Sequence, residues 1–102
     1  MFFKLSFFKV QGNSLSNSIV EGSFVITKST KNFEKNAFFI FTHKVYGKLI
    51  KKLVKIDSKK KCWFTGDSQQ SISIDKIGPV DKNNIIGKVI LCISKRGIKI
   101  FL

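Results

Sequence analysis

The chain has 102 residues and a mass of 11.6 kDa, one domain's worth, which excludes a second catalytic domain or a large cofactor-binding α/β sheet. It carries 19 basic against 6 acidic side chains, a formal charge of +13, yet 43% of its residues are hydrophobic and 13% aromatic, so it does not meet the low hydrophobicity of a disordered chain. All but one of the basic residues are lysine, the exception being Arg96; nucleic-acid recognition favours the guanidinium fork, and a Lys-, Ile-, Phe- and Asn-rich composition is also what an AT-biased genome produces.

The chain starts Met1-Phe2-Phe3-Lys4-Leu5-Ser6-Phe7-Phe8, an apolar stretch that is broken by a lysine and lacks a small-residue cleavage site, which argues against a signal peptide. No apolar run approaches the roughly 20 residues of a bilayer-spanning helix. The reading is therefore a cytoplasmic protein without a transmembrane helix, with peripheral membrane contact through the apolar start left open. Short apolar or β-branched runs follow at 7–10, 24–28, 37–42, 49–56, 62–65, 85–93 and 98–102, each the length and composition of a strand. Turn signals separate them at Gly12-Asn13, Glu21-Gly22-Ser23, Tyr46-Gly47-Lys48, Gly66-Asp67-Ser68, Gly78-Pro79 and Arg96-Gly97. The pattern predicts a mainly β protein, a single domain over 1–102 built as a small coiled antiparallel sheet, with at most a short helix after Ser14.

The run Leu49-Ile50-Lys51-Lys52-Leu53-Val54-Lys55 also fits a basic amphipathic helix, because its apolar pairs recur four apart. A strand explains more, since Gly47 supplies a turn back to the 37–42 run and a seven-residue helix is marginal alone. Lys59-Lys60-Lys61 reads as a solvated turn. Cys62 and Cys92, the two cysteines, sit among apolar neighbours and read as buried thiols. With His43 as the single histidine and no CxxC spacing, the chain has too few ligands for structural zinc, and no metal or cofactor is expected.

Chemistry has one obvious place to sit, the Gly- and Ser-rich turn Val10-Gln11-Gly12-Asn13-Ser14-Leu15-Ser16-Asn17-Ser18-Ile19, which follows an apolar strand. Composition alone reads it as a loop with Ser16 or Asn17 as a helix N-cap. A nucleophilic serine would need a base. His43 offers one only in principle, as there is no G-x-S-x-G elbow and no single partner among Asp57, Asp67, Asp75 and Asp81. A lysine is the other candidate, provided burial keeps it uncharged. On a strand Lys51 shares a face with Leu49 and Leu53, and Lys52 the other with Ile50, Val54 and Ile56; alternation does not choose between them, and edge lysines commonly just lift their heads into water.

Three segments in order resemble one family, the signal-peptidase-like serine proteases with a Ser-Lys dyad, whose relatives include self-cleaving phage and SOS repressors. The family's nucleophile box, aliphatic-x-G-x-S-M-x-P-T-L, is similar to Val10 through Ile19, with Leu15 for Met, Asn17 for Pro, Ser18 for Thr and Ile19 for Leu. Its lysine box, aliphatic-K-R-aliphatic-aliphatic, resembles Ile50-Lys51-Lys52-Leu53-Val54. A third box resembles Gly66-Asp67-Ser68, then Ser71 through Val80, then Ile85-Ile86-Gly87-Lys88-Val89, with the family's D-S-R core replaced and the segment one residue shorter.

The resemblance implies a signal-peptidase/repressor-protease fold with Ser14 as nucleophile, Lys51 as general base and Ser71 as a lysine-orienting hydroxyl. It implies an oxyanion site from backbone N–H groups around Ser14, and a protein or leader-peptide substrate laid as an extended strand along an apolar edge such as Val10 or 37–41. With neither the membrane helix nor the inserted β domain of signal peptidases in this sequence, it resembles a minimal catalytic core, similar to the proteases that mature nickel-type superoxide dismutase. Two alternatives stand beside this reading. One is a single-stranded nucleic-acid module stacking bases on Phe38, Phe39, Phe41 and Trp63, although no nucleic-acid partner is expected; the other is a catalytically inactive relative that binds peptides.

Overall fold

The alternation of apolar and polar residues and the turn glycines between runs are realised as one antiparallel sheet. The computed structural model describes residues 4–10, 19, 22–66 and 73–101. Among the described residues there are seven strands: β1 (Leu5–Lys9), β2 (Phe24–Lys28), β3 (Phe38–His43), β4 (Gly47–Ile56), β5 (Cys62–Thr65), β6 (Ile85–Ser94) and β7 (Gly97–Ile100). They form a single sheet in the order β1-β2-β6-β3-β4-β5, with β7 also paired to β6. The protein is thus mainly β, as its sequence predicts. The β3–β4 and β6–β7 hairpins turn at Gly47 (φ 75°) and Gly97 (φ 116°), backbone states that glycine enters without a Cβ penalty.

Both faces of the central strands are covered. Val10, Ile19, Val25, Ile40, Ile50, Val89 and Cys92 pack on one side. Phe39, Phe41, Leu53, Cys62, Phe64, Ile77 and Val80 pack on the other. Register shifts between Ile26 and Thr27, between Ile40 and Phe41 and between Leu53 and Lys55 add local twist, as bulges do, and coil the sheet around these two layers. Gly87 sits at such a junction: a Cβ there would lie 2.8 Å from the Lys28 carbonyl oxygen and 3.2 Å from the Thr27 Cβ. Because the obstacle is backbone, Gly87→Ala is expected to cost about 1–3 kcal/mol, read as a lower urea midpoint at unchanged m-value.

A helix directly after Ser14 would fall outside the described residues. The described helix, α1 (Ile74–Ile77), lies elsewhere. Ser73 caps its start by accepting from the Lys76 N–H at 3.3 Å, Gly78 ends it at φ 72°, and Ile77 is its buried contribution. One turn of helix is too short to show periodicity in a sequence.

The 59–61 lysine run is more than a solvated turn. Asp57 Oδ1 accepts from the Lys59 and Lys61 backbone N–H groups, both at 2.9 Å, its Oδ2 accepts from Trp63 Nε1 at 2.9 Å, and Lys61 Nζ lies 2.8 Å from Asp81 Oδ2. The Trp63 bond, followed by the Lys61 backbone bond, holds the Asp57 carboxyl below the usual carboxylate range. Lys61, followed by the Asn83 backbone N–H, does the same for Asp81. Carboxyls held low contribute stability that is full above the ordinary carboxylate pKa and is lost as pH falls through the folded value. Stability is therefore expected to hold from neutrality to about pH 4 and to fall below it, followed by the fluorescence of Trp63, with Asp57→Asn flattening that acid limb.

Candidate active site

β4 carries the candidate base. Gly47 closes the hairpin, and the register it sets pairs Phe39 with Lys51, Ile40 with Ile50 and Phe41 with Leu49. Lys51 therefore lies on the face of Leu49 and Leu53, beside the aromatic layer of Phe39, Phe41 and Phe64. It has 0% of its surface exposed, whereas Lys52 on the opposite face is half-buried. Among the described residues Lys51 is the one lysine that is buried. Burial separates the two lysines that alternation left equivalent.

Ser14 and Ser71 lie outside the described residues, so Lys51 alone of the three predicted side chains is placed. Their flanks are placed. Val10 and Ile19, at the two ends of the serine-rich segment, are buried at 4% and 1% exposure and pack with Ile40 and Ile50, the latter being the residue before Lys51. Val10 donates to the Ser23 carbonyl at 2.8 Å and accepts from the Gly22 N–H at 2.9 Å. Ahead of the Ser71 segment, Thr65 is in register with Lys52, and behind it Ser73 caps α1, which packs on β5.

The expected substrate edge needs correction. A strand can take up an added peptide only through unpaired backbone groups. Both backbone groups of Val10 are bonded, β3 is enclosed between β6 and β4, and Ala37 donates to Glu34 while accepting from Leu53. A groove of about 430 Å³ lies nearby, lined by Phe8, Val10, Ile40, Tyr46, Lys48 and Ile50 among others. It connects the strand end before the Ser14 segment with the residue before Lys51.

Other titratable groups are committed elsewhere. His43 Nδ1 accepts from the Val45 and Tyr46 N–H groups at 3.1 and 3.2 Å, so the proton lies on Nε2, which donates to the Ile77 carbonyl at 2.9 Å. Neither nitrogen is left to serve a serine hydroxyl. Cys62 and Cys92 are free and buried in opposite layers of the sheet, which rules out a bond between them, and burial pushes the Cys62 thiol up. Lys88, on the far side of Phe39 from Lys51, is neutralised by Glu34 at 3.1 Å. The sequence pattern marks Lys88 but gives no sign of Glu34, because nothing local links residues so far apart in the chain. Among the described residues no three His, Cys, Asp or Glu side chains gather as a metal would require. Phe39 and Phe41 have no exposed surface and so cannot stack on bases.

Among the described residues no helix is long and apolar enough to cross a membrane. No curated protein matches the chain. A family model described as Peptidase S24-like matches residues 3–90, a span that runs through the serine-rich segment, β4 with its buried lysine and most of β6, and by that match the chain belongs to the Peptidase S24-like family of serine peptidases.

Proposed function

We propose that this chain is a serine endopeptidase with a Ser14–Lys51 dyad that removes a leader or propeptide from a protein substrate. The observation that carries this reading is the complete burial of Lys51 on β4, between β3 and β5. An amine shut away from water loses the solvation that favours its charged form, and an uncharged amine is what a serine hydroxyl needs as a base. Family membership over residues 3–90 supports the same chemistry.

In the proposed reaction the neutral Lys51 amine takes the Ser14 proton as Oγ bonds to the scissile carbonyl carbon. Backbone N–H groups around Ser14 meet the oxyanion. As the C–N bond breaks, Lys51 returns the proton to the leaving amine; it then deprotonates the water that attacks the Ser14 ester and passes that proton to Ser14 Oγ as the ester C–O bond breaks. The Ser71 hydroxyl orients the lysine. The groove between Val10 and Ile50, lined by apolar side chains together with Lys9 and Lys48, offers room for substrate side chains. At the finest level the substrate is the precursor of a nickel-type superoxide dismutase, in the cytoplasm, a reading that rests on sequence resemblance.

The test is cleavage of a leader-bearing precursor followed by mass spectrometry. Ser14→Ala and Lys51→Met are each expected to lower the rate about a thousandfold or more. Unchanged cleavage in both would overturn the dyad. A wild-type chain that binds the leader without cutting it would replace the peptidase by a peptide-binding scaffold, the outcome favoured by loss of the D-S-R core.

A further inference from the structure

The two halves of the sheet are dressed differently. Over β3, β4 and β5 both faces are covered, but where β1, β2, the second half of β6 and β7 run together, the core cluster among the described residues lies on the face of Val25, Val89 and Cys92. On the other face Phe7 is 70% exposed, Ile98 68%, Ile100 64%, Phe24 52%, Leu5 46% and Ile93 40%. Register makes this one surface. Phe7, Ile26, Leu91 and Ile100 stand in a row across all four strands, and Phe24, Ile93 and Ile98 stand in the next. Scattered exposed apolar residues need no explanation, whereas a contiguous apolar patch marks an interaction site.

The charge around the patch identifies its occupant. None of these four strands carries an Asp or Glu, and Glu34, which borders the face beside Leu5 and Ile100, is ion-paired with Lys88. Lys9 stands in the Phe24 row with its Nζ 5.9 Å from the ring centroid, Lys28 stands in the Leu5 row, and Lys95 and Arg96 occupy the exposed β6–β7 turn. A second copy of the chain would set one formal charge of +13 against another, whereas an anionic surface complements it. We propose that this face docks on an anionic lipid bilayer, with its Phe, Ile and Leu side chains entering the headgroup boundary and the rim lysines meeting lipid phosphates. Lysine stems are long enough to lie along the apolar patch while their heads reach the phosphates, and apolar burial together with basic charge is the combination that holds a protein in the interface without a membrane span. The proposal goes beyond the peptidase reading and does not depend on it.

The test is flotation of the full chain with vesicles of phosphatidylglycerol and phosphatidylcholine, compared with phosphatidylcholine alone. Wild type is expected to float with the anionic vesicles only. A Phe7→Ser/Ile98→Ser double variant, changed at two exposed positions and checked for an unaltered thermal melt, is expected to bind about tenfold more weakly or worse; Ile100→Ser serves as a second variant if the first does not fold. Absence of flotation at low salt overturns the proposal. So does undiminished binding of the variants, which would mean that charge alone suffices, or a sedimenting wild-type dimer that the variants convert to monomer, which would mean that a second copy covers the face.

Discussion

Replacing Lys51 with methionine is expected to abolish peptidase turnover while leaving the sheet folded. Lys51 lies in the middle of β4 with no exposed surface, on the same face as Leu49 and Leu53 and opposite Phe39. Methionine is also unbranched and of similar volume, and volume-conserving swaps in a core typically change stability by less than about 1.5 kcal/mol. Alanine would instead leave a cavity costing about 2–5 kcal/mol, and lost activity would then be hard to separate from lost structure. If the amine is the base for Ser14, Lys51→Met should lower kcat/KM about a thousandfold or more, with a thermal unfolding midpoint near that of wild type. Retained cleavage in a folded Lys51→Met protein would remove Lys51 from the mechanism. Lys52→Met, on the opposite half-buried face, is the control and should cleave normally.

Phe41→Ala is expected to have the largest effect on stability, about 3–5 kcal/mol, a sizeable part of the roughly 5–15 kcal/mol that holds a typical domain together. Phe41 has no exposed surface and stacks on Phe64 at a centroid distance of 4.4 Å and an interplanar angle of 23°. Phe64 in turn meets Phe39 edge-on at 6.1 Å. Removing one ring therefore deprives a chain of aromatic contacts as well as a volume of core. Urea unfolding checks this through the midpoint, with Phe7→Ala as the contrast, since Phe7 is 70% exposed and should change stability by no more than about 0.5 kcal/mol. A Phe41→Ala protein as stable as the Phe7→Ala one would mean that the aromatic layer contributes little.

The strands were legible because each couples a short β-branched or aromatic run to a glycine-bearing turn. β2 and β5 have the same limits in sequence and structure, Phe24–Lys28 and Cys62–Thr65. β4 starts at Gly47 rather than Leu49 because the hairpin glycine already pairs with His43. Other features left no local trace. Whether Lys51 or Lys52 is buried depends on Phe39 and Phe64 arriving from other strands, and α1 owes its place to the Ser73 cap and to Ile77 packing in the Phe64 layer. The bare face of β1, β2, β6 and β7 was hidden for the same reason. Alternation says that a strand has two faces; it does not say which of them a neighbour covers. The serines assigned by resemblance, Ser14 and Ser71, rest on motif spacing, and the structure places only the buried residues that flank the first and the capped helix that follows the second.

β6 lies between β2 on one side and, end to end, β3 and β7 on the other. As a result, strands that neighbour each other along the chain, β2 and β3, meet only through a segment that comes some sixty residues after β2, Val25 against Cys92 and Ile40 against Gly87. Pairings of this range are slow to close and leave strand edges open until they do. During synthesis, the β3–β4–β5 unit that shelters Lys51 can form as local hairpins, but it cannot join β1 and β2 until β6 has left the ribosome. A sheet built this way is completed late in its own production, once β6 has joined the β1–β2 hairpin to the β3–β4–β5 unit.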